Sequence, residues 1–443
     1  MYSLGDILHA KSIAVVGASG SPEKMGYTLL HNILEGEFEG GVYPINPKED
    51  SILGKQCYKS LAEVPGSVDV AVLCVPSKFV GGVVQEAGEK GVKGLIIISG
   101  GFKEIGNDVM ENEVVALAKS YGMRIIGPNC QGVNYTGNKM CATWPFVKTK
   151  GSIGVVSQSG TIGAEMELLA EKDGIGVSCF AALGNKSDIS EVDFVNFFVE
   201  DPHTKVIALN IEGIQEGSGF IEALRDAAQK KPVVILKPGR TQKGQIAVAS
   251  HTKSIAGNDR LFSAFCQKYG IIRALDLTEF YDFCKMAAFV AKPAGNRMAV
   301  VTSSGGAGIL ATDTAEENAV DMITLSDGLK AALGEVLPPQ CVLSNPLDLT
   351  GDARADRYES AFEVLLKDDS YDILLAIFGD PIPGAYEAAE RFRQQSKAAV
   401  VVSYLGGGQV QEDEVALMNA NKMPVYPTPE RAVKSVRAVL GLL

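Results

Sequence analysis

The sequence predicts three consecutive α/β domains, each built on a doubly wound, mostly parallel sheet. Short apolar runs rich in valine and isoleucine end in Gly, Ser or Asn, and a longer amphipathic segment follows each of them. This alternation is typical of strands that are buried on both faces and joined by helical crossovers. The chain has 443 residues, which is more than one hydrophobic core usually supports, since about 150 residues per domain is common.

The strand pattern runs through the chain in three series. The predicted domains are therefore residues 1–145, 146–292 and 293–443, and the Gly- and Pro-containing segment AKPAGNR marks the second boundary. The predicted strands of the three series are, in order, SIAVVGASG, VDVAVLCVPS, KGLIIISGG and MRIIGPNC; GSIGVVSQSG, GVSCFAALGNKSD, KVIALNIEG and PVVILKPGR; MAVVTSSGG, DILLAIFGD, AAVVVSYLGGG and MPVYPTPE.

Composition excludes several classes of protein. The formal charge of -12 and the pI near 5.0 disfavour a nucleic-acid partner. No stretch approaches the ~18 apolar residues of a membrane span, and the N-terminus lacks the pattern of a signal peptide, so we expect a cytoplasmic protein without a membrane partner. The eight cysteines form no CxxC pair and have no histidine at ligand spacing. Reduced thiols are therefore expected, and no metal site.

Ligands of open parallel sheets collect beyond the carboxyl ends of the strands, so the loop after each apolar run is a candidate site. In the first domain small residues, Ser19, Gly20 and Ser21, precede Lys24 at a predicted helix start, where backbone N–H groups can approach a phosphate. The loop is not GxGxxG, and Lys48 stands where a dinucleotide fold has an acidic residue. This favours a nucleotide with an extra phosphate, either NADP or coenzyme A; a solvated turn lysine is the alternative.

Two further Ser/Gly-rich helix starts follow strands in the second and third domains. Ser and Gly cap helices in any protein, which is the simpler interpretation. Together, however, the two starts could hold one phosphoryl group through unpaired N–H donors and partial positive charge. The residues concerned are Ser157, Gln158, Ser159 and Gly160 in the second domain, and Ser304, Gly305 and Gly306 in the third.

The ordered set of these blocks resembles the α subunit of ADP-forming acyl-CoA synthetases, in the succinyl-CoA synthetase superfamily. The resemblance implies a Rossmann-like CoA-binding domain followed by two flavodoxin-like ligase domains. It extends over essentially the whole chain and rests on VVGASGSPEKMG, NPK, CVPSKFV, IIISGGFKE, GPNCQG, SQSGTIG, ALGNKSD, IEGI, KPGR, SHTKSIAG, SSGGAGILATD, NPLDLTGDA and PVYPTPERA.

The resemblance implies that an acyl-CoA reacts with phosphate to give an acyl phosphate, that a histidine takes the phosphoryl group, and that ADP receives it. His251, within the small and polar stretch ASHTKSIAG, matches the phosphorylated histidine. Small neighbours would leave such a loop free to move. Glu212 matches the glutamate that holds the second ring N–H. In the motif usually written SHTGS, Lys253 replaces the glycine, which adds a cation and removes a permissive backbone position.

By the same resemblance, the two Ser/Gly-rich helix starts hold the phosphohistidine, and loops of the first domain form the coenzyme A groove. Lys48 would then offer charge to a CoA phosphate. The residues that match the groove are Ser19, Gly20, Ser21, Lys24, Lys48, Pro76, Ser99, Gly100 and Gly101.

No segment resembles an ATP-grasp domain or a Walker GxxxxGK[ST] motif. We therefore expect a separate ATP-grasp β subunit that supplies the ATP/ADP and Mg2+ sites, in an α2β2 assembly that acts on a small carboxylic acid or its acyl-CoA. Two alternatives stay open: a non-catalytic CoA-binding or regulatory homologue, and an NADP-dependent oxidoreductase.

Overall fold

The computed structural model of the chain describes residues 1–214, 219–252 and 258–442, with the side chains of residues 250–252 excepted. Contacts divide the chain into two compact units. The first unit comprises Met1–Lys172 and Gly176–Phe265, and the second comprises Asp173–Ile175 and Cys266–Leu443.

A five-stranded parallel sheet, in the order β2-β1-β5-β6-β7, forms the first part of the first unit. Strands β1, β5 and β6 are buried at every position, as the continuous apolar runs predict. The elements are α1 Leu4–Leu8, β1 Ser12–Val16, α2 Met25–Glu35, β2 Gly41–Ile45, β3 Ser51–Ile52, β4 Lys55–Gln56, β5 Val70–Leu73, α3 Ser77–Lys90, β6 Gly94–Ile97, a 3-10 turn Lys103–Ile105, α4 Asp108–Ser120 and β7 Arg124–Ile126.

Within this unit, the strands of the second sheet have the order β13-β12-β10-β11-β8-β9. Strands β10 to β13 are parallel, whereas the hairpin β8–β9 is antiparallel to β11. The hairpin precedes residue 145 in the chain, although it completes this second sheet. The elements are β8 Gly132–Tyr135, β9 Met140–Thr143, β10 Lys150–Ser157, α5 Gly160–Lys172, β11 Val177–Ala182, α6 Glu191–Glu200, β12 Val206–Asn210, α7 Phe220–Ala228, β13 Val233–Leu236, α8 Gln242–Thr252 and α9 Asp259–Tyr269, whose last residues belong to the second unit.

The second unit contains a sheet in the order β17-β18-β15-β19-β20-β21, with β16 paired to β15. Apolar clusters cover both of its faces. The elements are β14 Ile272–Ala274, α10 Leu277–Phe289, β15 Arg297–Thr302, α11 Gly305–Glu317, β16 Asp321–Met322, α12 Asp327–Val336, β17 Val342–Leu343, β18 Leu347–Asp348, α13 Ala355–Leu365, β19 Ile373–Phe378, α14 Ala385–Gln395, β20 Ala399–Tyr404, α15 Gly408–Ala420, β21 Val425–Tyr426 and α16 Pro429–Leu440.

Three predominantly parallel sheets flanked by helices confirm the predicted fold class. The domain boundaries near 145 and 292 stay a prediction. All eight cysteines are free, and seven of them are buried. Within the described ranges, none of the helices has the length and apolar character needed to cross a bilayer.

Candidate functional site

The predicted groove residues of the first domain all lie beyond the carboxyl ends of neighbouring parallel strands. Because β2, β1, β5 and β6 are adjacent in the sheet, the loops that follow them emerge at one edge. The groove residues are distributed as follows: Ser19, Gly20 and Ser21 follow β1, Lys24 caps α2, Lys48 follows β2, Pro76 caps α3 after β5, and Ser99, Gly100 and Gly101 follow β6.

Close packing at this edge explains the small residues. A Cβ atom at Gly26, in the first turn of α2, would lie 2.0 Å from the carbonyl oxygen of Gly17. Helix α2 therefore starts directly against the loop that follows β1. Gly101 has a φ of +105°, which disfavours any side chain there. The Ser99 hydroxyl donates to the Val75 carbonyl at 2.5 Å and so ties the loop after β6 to the loop after β5.

Two carboxylates that the sequence patterns do not indicate accept hydrogen bonds from backbone N–H groups of these loops. The Gly20 N–H donates to both carboxylate oxygens of Glu49, at 3.1 and 3.2 Å. The Gly101 N–H donates to Glu104 Oε1. A search for an acidic residue directly after the second strand overlooks Glu49, because it follows the end of β2 by four positions and its side chain turns back toward the loop after β1.

Glu104 belongs to a hydrogen-bonded network that links the groove to the loop after β11. Asn185 donates to Glu104 Oε2 at 2.6 Å and to Glu111 Oε2 at 2.8 Å. Burial opposes ionisation of Glu104, but hydrogen bonds from Asn185 and from the Gly101 and Phe102 N–H groups hold its pKa below the usual value. The loop of the ALGNKSD block is thereby fixed to the groove.

Helix α5 begins at Gly160, directly after the Ser157–Ser159 segment that follows β10. The Ser157 hydroxyl donates to the Ser159 carbonyl at 2.5 Å and accepts from the Asn210 amide at 2.9 Å. The Gln131 side chain lies against this start, since a Cβ at Gly160 would be 2.6 Å from Gln131 Cδ. Gln131 Oε1 is buried and has no hydrogen-bond partner among the described residues. The sequence analysis gave Gln131 no role.

Gln158 joins the start of α5 to the segment that carries Glu212. Its Oε1 accepts the Glu212 N–H at 2.7 Å and the Gly213 N–H at 3.0 Å, while its Nε2 donates to the Gly213 carbonyl at 3.0 Å. Lys186 also donates to the Gly213 carbonyl, at 3.1 Å, and forms an ion pair with buried Glu191 at 2.9 Å. The structure thus brings Glu212, which is 8% exposed, to the predicted phosphate loop.

Helix α11 of the second unit begins at Gly305 with Ser304 as its N-cap. The Ser304 hydroxyl accepts from the Ala307 N–H at 3.4 Å. The Asp348 carboxylate adjoins this start, because a Cβ at Gly305 would lie 2.9 Å from Asp348 Oδ2. Around Gly306, by contrast, a Cβ atom would meet only open space.

His251 is the penultimate residue of α8, and its side chain lies outside the described residues. The sequence predicts a loop for ASHTKSIAG, whereas residues 249–252 form the end of this helix. Lys253 lies outside the described residues. Helix α8 follows β13, and β13 is the neighbour of β12, which precedes Glu212. No group of three His, Cys, Asp or Glu residues suited to a metal ion occurs in the described ranges.

Comparison with known proteins places this arrangement in a family. The CoA binding domain model matches residues 11–136, the succinyl-CoA ligase like flavodoxin domain matches 150–287, and the ligase-CoA domain matches 298–441. The chain is 36% identical to the acetate–CoA ligase [ADP-forming] I subunit alpha of Pyrococcus furiosus over 99% of its own length and 97% of that protein. It belongs to the family of ADP-forming acetate–CoA ligase alpha subunits.

Other members of the family of ADP-forming acetate–CoA ligases differ in length. The acetate–CoA ligase [ADP-forming] of Methanocaldococcus jannaschii is also 36% identical, but this chain covers only 62% of it. Among solved structures, acetyl-coenzyme A synthetase 1 of Ca. Korarchaeum cryptofilum, in complex with phosphate and ADP, superimposes with a TM-score of 0.92 at 36% identity, covering 100% of this chain and 97% of that one. The predicted family is therefore confirmed.

Proposed function

We propose that this chain is the α subunit of an ADP-forming acyl-CoA synthetase, which interconverts a small carboxylic acid, CoA and ATP with acyl-CoA, ADP and phosphate. The observation that carries the proposal is the Gln158 amide, which fixes the Glu212 backbone beside the start of α5. The segment that carries the Glu212 carboxylate is thereby held beside a helix N-terminus. Transfer of a phosphoryl group to a histidine requires both a carboxylate to orient the ring and donors to bind the phosphoryl oxygens. The family relationship over the whole chain supports the same reaction.

The reaction divides into three transfers. A phosphate oxygen attacks the thioester carbonyl, the C–S bond breaks, and the CoA thiolate takes up a proton. One ring nitrogen of His251 then attacks phosphorus, and the P–O bond to the acyl group breaks, which releases the carboxylate. Glu212 accepts a hydrogen bond from the other ring N–H and so favours the charged ring that develops. Finally a terminal oxygen of ADP attacks phosphorus and the P–N bond breaks.

We assign the groove of the first domain to coenzyme A, and we assign to each of the two helix starts, taken by itself, the binding of a phosphoryl group. Coenzyme A would bind to the loops after β1, β2, β5 and β6, in which Lys24 and Lys48 are exposed. The phosphoryl assignment uses the α5 start, where Ser159 and Gly160 are partly exposed, and the α11 start, where Gly305 and Gly306 are exposed. Backbone N–H groups of such starts bind anions.

We further propose that ATP, ADP and Mg2+ bind to a separate ATP-grasp β subunit in an α2β2 assembly in the cytoplasm. The name of the Pyrococcus furiosus relative, which identifies it as a subunit, supports a partner chain. So does the greater length of the Methanocaldococcus jannaschii relative, which is matched by this chain over 62% of its residues.

The test is co-expression with a candidate β subunit, followed by an assay of thioester formation from CoA, ATP and a panel of small carboxylic acids. We expect activity from the pair, none from the α chain alone, and none from a pair that carries Glu212→Ala. Full activity of the α chain alone would overturn the division between subunits. NADPH oxidation or binding by the chain, without CoA binding, would overturn the reaction itself.

A further inference from the structure

Glu49 stands out in the groove of the first domain because a carboxylate occupies a donor that an anionic ligand needs. Its two oxygens accept the Gly20 N–H at 3.1 and 3.2 Å, and a Cβ at Gly20 would lie 2.8 Å from Glu49 Oε2. The only other hydrogen bond to this carboxylate within the described residues is a long one, 3.4 Å, from the Asn46 amide. The carboxylate therefore takes the place of a ligand oxygen at the loop.

No cation neutralises the Glu49 carboxylate at ion-pair distance in the part of the chain that the structure describes. Lys59 directs its ammonium group to the Glu49 carbonyl at 3.1 Å and to Asp50 Oδ1 at 2.8 Å, not to the Glu49 carboxylate. The Glu49 side chain is also partly exposed. It is thus held weakly, by one backbone donor and one distant amide, and can rotate into solvent at little cost.

Glu104 in the same groove provides a contrast. Its carboxylate accepts the Gly101 and Phe102 N–H groups and, on the other oxygen, the Asn185 amide at 2.6 Å. Asn185 in turn donates to Glu111, whose other carboxylate oxygen accepts from Ser187. Glu104 is therefore part of the framework of the loop, whereas Glu49 is the carboxylate that a ligand can displace.

We propose that Glu49 is an affinity-determining gate of the CoA groove: it occupies the Gly20 N–H in the free protein and must leave when a CoA phosphate takes that donor. This inference rests on the proposed function, because it requires CoA to bind at this edge. Two like charges cannot share one N–H donor, and a carboxylate about 4 Å from a phosphate repels it even in water. Glu49 therefore weakens CoA binding and favours release of the product thioester.

The test measures CoA affinity of the full chain by calorimetry, with Glu49→Gln as the variant. Glutamine keeps an oxygen that can accept the Gly20 N–H but removes the charge. We expect a Kd for CoA about fivefold lower than that of the unmodified chain at low salt. We expect the gain to fall below about twofold at 0.5 M salt, because exposed charges are then screened.

Asp50→Asn is the matched control. It removes the same charge one position away, but Asp50 is fully exposed, pairs with Lys59 and has no contact with Gly20. We expect its Kd for CoA to lie within about twofold of the unmodified value. A gain from Asp50→Asn equal to that from Glu49→Gln would overturn the gate, because net charge alone would then explain it.

The inference and the proposed function fail in different ways. If CoA binds the unmodified chain and Glu49→Gln binds it equally or more weakly, the gate is wrong and CoA binding stands. If neither the unmodified chain nor any variant binds CoA at millimolar concentration, the proposed function itself is wrong. A lower Kd for Glu49→Gln that disappears in high salt supports both.

Discussion

Residues 157–163 and 302–308 have the same design but differ in their surroundings. In each segment a strand ends in a buried hydroxyl residue, Ser157 or Thr302, whose hydroxyl donates to the carbonyl two positions on, at 2.5 and 2.9 Å. A helix then starts at a glycine, Gly160 or Gly305. The two segments therefore share a backbone geometry that requires only a small hydroxyl residue at the end of the strand and a glycine at the start of the helix.

The surroundings of the two starts separate their roles. A neutral amide, Gln131, adjoins Gly160, whereas a carboxylate, Asp348, adjoins Gly305. A doubly charged phosphoryl group meets less repulsion beside an amide than beside a carboxylate. The position after the strand also differs: Gln158 orders the Glu212 backbone, while the Ser303 hydroxyl accepts the Gly379 N–H, at 2.9 Å. We therefore propose that, of the two starts, that of α5 is the one beside the reacting group.

At pH 5, the largest expected difference in stability concerns the glycines three positions into each helix. A Cβ at Gly163 would lie 2.5 Å from Phe180 Cε2 and 2.7 Å from Ser157 Cβ, within a packed core. At Gly308 the nearest atoms, of Pro346 and Thr302, are 3.2 Å away. Gly163→Ala should therefore cost about 1–3 kcal/mol of stability. Gly308→Ala should stay within about 1 kcal/mol, because the helix-propensity gain offsets the contact.

Urea unfolding, monitored by circular dichroism, measures the free energy of unfolding of both glycine variants. Equal losses in the two variants would contradict the tighter packing of the α5 start.

The next difference concerns the eighth residue of each helix, Glu167 in α5 and Thr312 in α11. Burial raises the pKa of Glu167 to about 8, against a hydrogen bond from Asn134 at 2.7 Å that lowers it. Because the pKa of Glu167 in the folded chain lies above the ordinary value of 4.5, its protonated form contributes fully to the free energy of unfolding below pH 4.5. This contribution is lost as the pH rises toward 8. The slope is about 1.4 kcal/mol for each pH unit between these values.

Thermal unfolding between pH 5 and pH 9 checks the contribution of Glu167. Glu167→Gln should flatten this part of the pH profile and raise the melting temperature at pH 8. Thr312, whose hydroxyl donates to the Gly308 carbonyl at 2.9 Å, carries no titratable group, so Thr312→Val should leave the slope unchanged. An unaltered slope in Glu167→Gln would contradict the buried protonated acid.

The smallest expected effect concerns Gln158 and Ser303. Gln158→Ala removes three hydrogen bonds from the segment that carries Glu212, so kcat of the complete enzyme should fall about tenfold while KM for CoA changes less than about twofold. Ser303→Ala should lower kcat by less than about threefold. A rise in KM with unchanged kcat for Gln158→Ala would argue against a role in positioning Glu212.

The fold was predictable because its information is local in the sequence. Buried parallel strands appear as unbroken apolar runs. Strands β1, β5, β6, β12, β19 and β20 lie within the predicted segments, and β10 and β15 each begin one residue before theirs. The antiparallel hairpin β8–β9 was missed, because its strands are short and carry polar residues such as Asn134. Its pairing with β11 depends on contacts distant in the sequence, which periodicity does not encode.

The site was predictable only in part, for the same reason. Glycine and serine after a strand indicate the backbone donors, and these donors lie at the expected sheet edges. Glu49 accepts from one such donor, and Gln131 and Asp348 lie against two of the helix starts; these three side chains come from other segments and have no local signature. Glu104, in contrast, is only three positions from the Gly101 N–H that it accepts. The role of Lys186, which holds the Gly213 carbonyl, likewise depends on a contact 27 positions away.

The proposed reaction requires His251 as the carrier of the phosphoryl group, and one measurement tests this directly. The chain is incubated with its β subunit and ATP labelled in the terminal phosphate, and the label on the α chain is then mapped. We predict an acid-labile, base-stable phosphate on His251 that ADP removes, and none in His251→Asn. Label absent from the α chain of an active pair, or retained in His251→Asn, would contradict the account.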